Sequence, residues 1–90
     1  MTLEWRKIRD GFRGTLYGVT CEGVLNGTAY YLSGSKRYCA KVSINLNSER
    51  VIFREAYAGT MRGAISRLCR QLDKESIGLF GVDDFSWSIL

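Results

Sequence analysis

From Tyr38 to Leu46 the chain alternates: Tyr38, Ala40, Val42, Ile44 and Leu46 are apolar or aromatic, and Lys41, Ser43 and Asn45 fall between them. A period of two puts the first set on one face of a strand and the second on the other, which predicts a half-buried antiparallel strand with one wet face. Asn47-Ser48-Glu49 predicts the turn that follows. Val51, Phe53 and Tyr57 then continue the covered face, with Arg50, Ile52 and Arg54 on the wet one. Near residue 60 the period changes. Met61, Ala64, Ile65, Leu68 and Leu72 recur at helical spacing, with Cys69 at the edge of the same stripe. Thr60 is placed to cap the helix at its start, and Gly78 to end it shortly after Ser76. Gly63 inside a helix costs about 1 kcal/mol relative to Ala, so its presence predicts a close approach to another backbone. Arg67, Arg70 and Lys74 cluster opposite the apolar stripe.

Earlier in the chain, Asp10-Gly11 and Asn26-Gly27 suit tight hairpins, because both residue types tolerate the positive φ that such turns require. They delimit strands near 3–9, within 12–25 and near 28–33, and Ser33-Gly34-Ser35-Lys36 forms a polar loop. The tail from Asp83 to Leu90 alternates large apolar residues with serine. Phe85, Trp87 and Ile89 are either a last strand over the core or an adhesive segment for another chain, a homodimer partner included. The expected architecture is one α+β domain over residues 1–90. It is an antiparallel meander sheet of four to five strands, with one amphipathic helix packed on one face and a short C-terminal strand.

Composition narrows the chemistry. The chain has 90 residues and no histidine, which removes the commonest general base and the usual partner of a Ser or Cys nucleophile. Asp83 and Asp84 are neighbours that point to opposite sides of an extended segment, and Glu22, Glu49 and Glu55 belong to separate strands. No catalytic residue, metal site or cofactor is expected. Cys21, Cys39 and Cys69 are an odd number without paired spacing, so reduced thiols and a cytoplasmic location are expected. Asn26-Gly27-Thr28 also matches a glycosylation acceptor, but the hairpin reading is preferred. No apolar run is long enough to span a membrane.

Charge points to binding. Twelve basic and five acidic side chains fall in residues 1–72, whereas residues 73–90 hold Lys74 against Asp73, Glu75, Asp83 and Asp84. A basic body raises the expectation of an anionic partner. Two candidate surfaces emerge. One is a partner-binding set: Arg50, Arg54, Arg67, Arg70 and Lys74, with Asp83, Asp84 and Trp87 as a second patch. The other is a basic, aromatic sheet face for single-stranded DNA or RNA, with Tyr30, Tyr31 and Tyr38 stacking bases and Lys41, Arg50 and Arg54 on phosphates.

Three family resemblances bear on these sets. The stretch Ala56-Tyr57-Ala58-Gly59-Thr60-Met61-Arg62-Gly63-Ala64-Ile65-Ser66-Arg67-Leu68 resembles the sheet-to-helix passage of double-stranded-RNA-binding domains. Strands followed by one helix are similar to single-strand-binding modules of the transcription-coactivator kind. A compact α+β chain of this length without cofactor motifs resembles small phage-encoded inhibitors, anti-CRISPR proteins in particular. That last resemblance implies a non-catalytic protein that blocks a protein or ribonucleoprotein complex of the host by occupying its surface.

Overall fold

The computed structural model describes residues 1–11, 14–47 and 49–90; the turn role expected of Ser48 lies outside the described residues. Among those described, the elements in order are β1 (Thr2–Arg9), β2 (Leu16–Cys21), β3 (Leu25–Leu32), β4 (Arg37–Asn47), β5 (Arg50–Ala58), α1 (Met61–Lys74), α2 (Ser76–Phe80) and β6 (Ser86–Ile89). They make one sheet in the order β5-β4-β3-β2-β1-β6. The first five strands are an antiparallel meander. β6 is parallel to β1, with Leu3 opposite Trp87 and Trp5 opposite Ile89. A hairpin cannot join parallel neighbours, so the chain crosses from the β5 edge to the far edge through α1 and α2. The α+β class and the helix across one face hold. The count of four to five antiparallel strands is corrected to six in a mixed sheet, because the tail pairs within its own chain.

The core lies between α1 and one sheet face. Leu3, Trp5, Val19, Leu25, Ala29, Ala40, Val42, Ile44 and Ala58 are buried there against Ala64, Ile65, Leu68, Cys69 and Leu72. The apolar stripe read from the sequence is therefore the buried face of α1. Trp5 is fully covered, and its indole N–H donates to Cys69 Sγ at 3.3 Å. Thr60 caps α1, its Oγ1 accepting from the Gly63 N–H at 3.0 Å. A Cβ on Gly63 would sit 3.0 Å from the Ala58 Cβ, so the close approach is to a β5 side chain. Gly78 lies inside α2, and the terminator is Gly81, in the left-handed region at φ 68°. Two helices thus replace the single one expected.

Asn26-Gly27 is not a turn. Both residues lie inside β3, opposite Thr20 and Val19 on one side and Ser43 and Val42 on the other. The chain reverses at Cys21–Val24 instead, where Gly23 takes φ 75° and the Val24 N–H donates to the Cys21 carbonyl at 2.9 Å. Gly27 is required for space: a Cβ there would meet Val19 Cγ1 and the Lys41 carbonyl oxygen, each at 2.9 Å.

β5 presents the opposite face from the one expected. Ile52 pairs with Ile44, Ala56 with Ala40 and Ala58 with Tyr38, which puts Ile52, Arg54, Ala56 and Ala58 on the helix side. Val51, Phe53, Glu55 and Tyr57 stand on the other face, in line with Ser43, Lys41 and Cys39. Two causes act together. A register shift between Asn45 and Asn47 carries the β4 alternation out of step at the turn. The helix also packs close to β5, where small alanines fit and a phenylalanine would not.

Candidate binding surface

Among the described residues, no second layer of chain covers the face turned away from α1. Its floor follows from the strand register. Arg6, Gly18, Thr28, Lys41 and Glu55 form one row across β1 to β5. Thr20, Asn26, Ser43 and Phe53 form the next. Short hydroxyl and amide side chains in the middle, and none at Gly18, leave a groove of about 880 Å³ bounded by Glu4, Arg6 and Ile8 on β1 and by Phe53 and Glu55 on β5. Ile8 falls where the β1–β2 register shifts, and its side chain leans over Gly18. Phe53 is 71% exposed and Ile8 64%. Exposed apolar side chains of this size beside a concave floor are typical anchors for a partner.

Charge in the groove is balanced. Glu4 lies 3.7 Å from Arg6, and Glu55 stands opposite Lys41 in the β4–β5 ladder. The Lys41 ammonium lies 5.4 Å from the Tyr30 ring centroid. The Tyr30 hydroxyl, and more weakly Glu55, hold the lysine above its ordinary pKa. Cys39 is buried on this face between Tyr30 and Tyr57, while Cys69 is buried beneath the other.

The two ends of the sheet differ more than its faces. One end gathers the close of β1, the β3–β4 turn and the start of α1, and so collects Arg9, Lys36, Arg37 and Arg62, all exposed. Among the described residues the carboxylate there is Asp10, which the Thr15 hydroxyl (2.8 Å) and then the Lys7 ammonium (3.1 Å) hold and draw below the usual carboxylate range. The other end gathers Glu22, Glu49, Glu75, Asp83 and Asp84 with Arg50, Arg54 and Lys74. The molecule measures 38 × 23 × 23 Å. α1 begins at the basic end, so its dipole has the same sense as the side-chain charges.

The residues expected to form the partner-binding set divide among different tasks. Arg54 turns to the helix side and makes a two-pronged ion pair with Glu75, at 3.1 and 3.2 Å. Its third nitrogen donates to the Phe53 carbonyl at 2.9 Å, and Arg67 donates to the Tyr57 carbonyl at 3.1 Å. Those two carbonyls, four residues apart on the edge strand, point to the same side. Arg54 and Arg67 thus cover acceptors that a second strand would need. Arg70 and Lys74 share the outer face of α1 with Arg67, and Arg50 is exposed at the start of β5. Asp84 pairs with the Met1 amine at 3.2 Å, and Asp83 is exposed. Trp87 is half-buried, its ring packed against the core.

The nucleic-acid set is divided as well. Tyr30 and Lys41 share the groove face, whereas Tyr31, Tyr38 and Arg54 lie on the helix side. Tyr31 and Tyr38 have ring centroids 5.1 Å apart at the basic end. Sequence reasoning missed Phe53 and Ile8, because a large apolar residue in a strand is assigned inward unless the register says otherwise. Among the described residues no group of three acidic or sulfur side chains is placed to hold a metal ion. No protein-family model matches this chain, and neither a curated protein nor a solved structure matches it.

Proposed function

We propose that this chain is a non-catalytic binding protein that acts in the cytoplasm by occupying a surface of a nucleic-acid-processing assembly, as anti-CRISPR inhibitors do. Its contact surface is the open groove. The observation that carries this reading is a concave sheet face that none of the described residues covers with a second layer, with Phe53 71% and Ile8 64% exposed at its two walls. Balanced charge along the groove, Glu4 and Glu55 against Arg6 and Lys41, suits a mixed protein surface better than a polyanion, which the carboxylates would repel. Burial of two exposed apolar anchors supplies affinity, and the flanking charges set orientation. The net charge of +4 and the basic end favour an assembly that already holds nucleic acid.

The test is titration of purified protein into candidate effector complexes while target binding and cleavage are followed. Loss of target engagement that saturates near one protein per complex supports the proposal. Full activity of every complex at excess protein contradicts it.

A further inference from the structure

We infer that the basic end of the molecule is a second site, distinct from the groove, and that it takes single-stranded nucleic acid. The fold places Tyr31, Tyr38 and Ala58 in one row across β3, β4 and β5 on the helix side. Tyr31 is the outer ring of the tyrosine pair and is 46% exposed. Lys36 stands in the adjoining turn, five residues on, and Arg62 in the first turn of α1, four residues beyond Ala58. Neither cation is in an ion pair among the described residues. Arg37 leans the other way, its guanidinium 6.0 Å from the Tyr57 ring centroid, and extends the cationic surface around the strand ends.

An exposed ring at the same end of the sheet as unpaired cations offers two things at once: a flat face on which an unstacked base rests, and positive charge for the phosphates of the same strand. A duplex hides its base faces, so the stacking element favours a single strand. An acidic protein would use the cations and leave Tyr31 idle. The one carboxylate nearby among the described residues, Asp10, is neutralised by Lys7, and the positive end of α1 adds to the attraction.

The experiment is fluorescence polarisation with a labelled oligothymidylate of about twelve nucleotides, on the full chain and on folded variants checked by circular dichroism. With three to four cations engaged, affinity is expected to fall roughly twenty- to fiftyfold between about 50 and about 200 mM salt. Tyr31→Ala is expected to weaken binding about tenfold and Tyr31→Phe to restore it. The double variant Lys36→Ala/Arg62→Ala is expected to flatten the salt dependence. Absence of binding at the lower salt overturns the inference. So does equal affinity for Tyr31→Ala, or displacement of the oligonucleotide by poly-glutamate as readily as by unlabelled strand. Phe53→Asp is expected to leave oligonucleotide binding intact while removing groove contacts, so the two sites fail separately.

Discussion

Gly27 and Phe53 each have a role opposite to the one their residue type suggests. Asn-Gly is a strong turn signal, yet Gly27 lies in mid-strand because Val19 and Val42 close over it. Gly27→Ala is therefore expected to destabilise the fold by about 1–3 kcal/mol through overpacking, read as a lower urea midpoint; an unchanged midpoint contradicts the packing described. Phe53 is the converse, a large apolar residue held in water. Phe53→Asp is expected to change stability by less than about 0.5 kcal/mol, whereas Trp5→Ala in the core costs about 3–5 kcal/mol. Thiol chemistry follows the same division. Burial pushes the Cys69 thiol up to about 11, so it stays protonated and unreactive at pH 8, while half-buried Cys21 is labelled first. Mass mapping of alkylated peptides checks the order.

At the scale of elements, α1 was legible because its stripe is buried on one side only and its cap is a side-chain oxygen, both written in the local sequence. β4 was legible for the same reason. β5 was not, since its face depends on the register shift at Asn45 and Asn47 and on how near α1 approaches, neither of which is a local property. The candidate site shared that fate: Arg54 was expected in water, but the register turns it to Glu75 across 21 residues of sequence. The resulting clasp between β5 and the end of α1 has a defined pH behaviour. Arg54 beside it holds the Glu75 carboxyl below its ordinary value. A lowered folded pKa contributes stability above the unfolded value, lost as pH falls through the folded one. The melting temperature of Glu75→Gln is expected to lie below wild type at pH 7 and to converge with it as pH drops below about 4. A constant gap at all pH values contradicts the clasp. Arg67 has a different task on the same strand. Arg67→Ala exposes the Tyr57 carbonyl and is expected to lower the concentration at which the protein self-associates in sedimentation velocity.

For the whole molecule, the parallel return of β6 beside β1 was beyond sequence reasoning, because alternation in the tail fits any neighbour strand, including one from another chain. The charge gradient between the ends was likewise hidden. Along the sequence Arg9, Lys36 and Arg62 are far apart, and only the meander brings their turns to one end. Among the described residues, an open sheet face and an end whose one carboxylate, Asp10, is held by Lys7 are both properties of topology, and the proposal that the protein works through contact is built on them.

Stoichiometry tests that claim most directly. In a titration against a sensitive effector complex, target binding is expected to be lost at a breakpoint near one molecule per complex. Phe53→Asp, still folded, is expected to shift the curve to much higher concentration. Inactivation by a small fraction of an equivalent that continues with time would mean turnover, and would contradict action by contact.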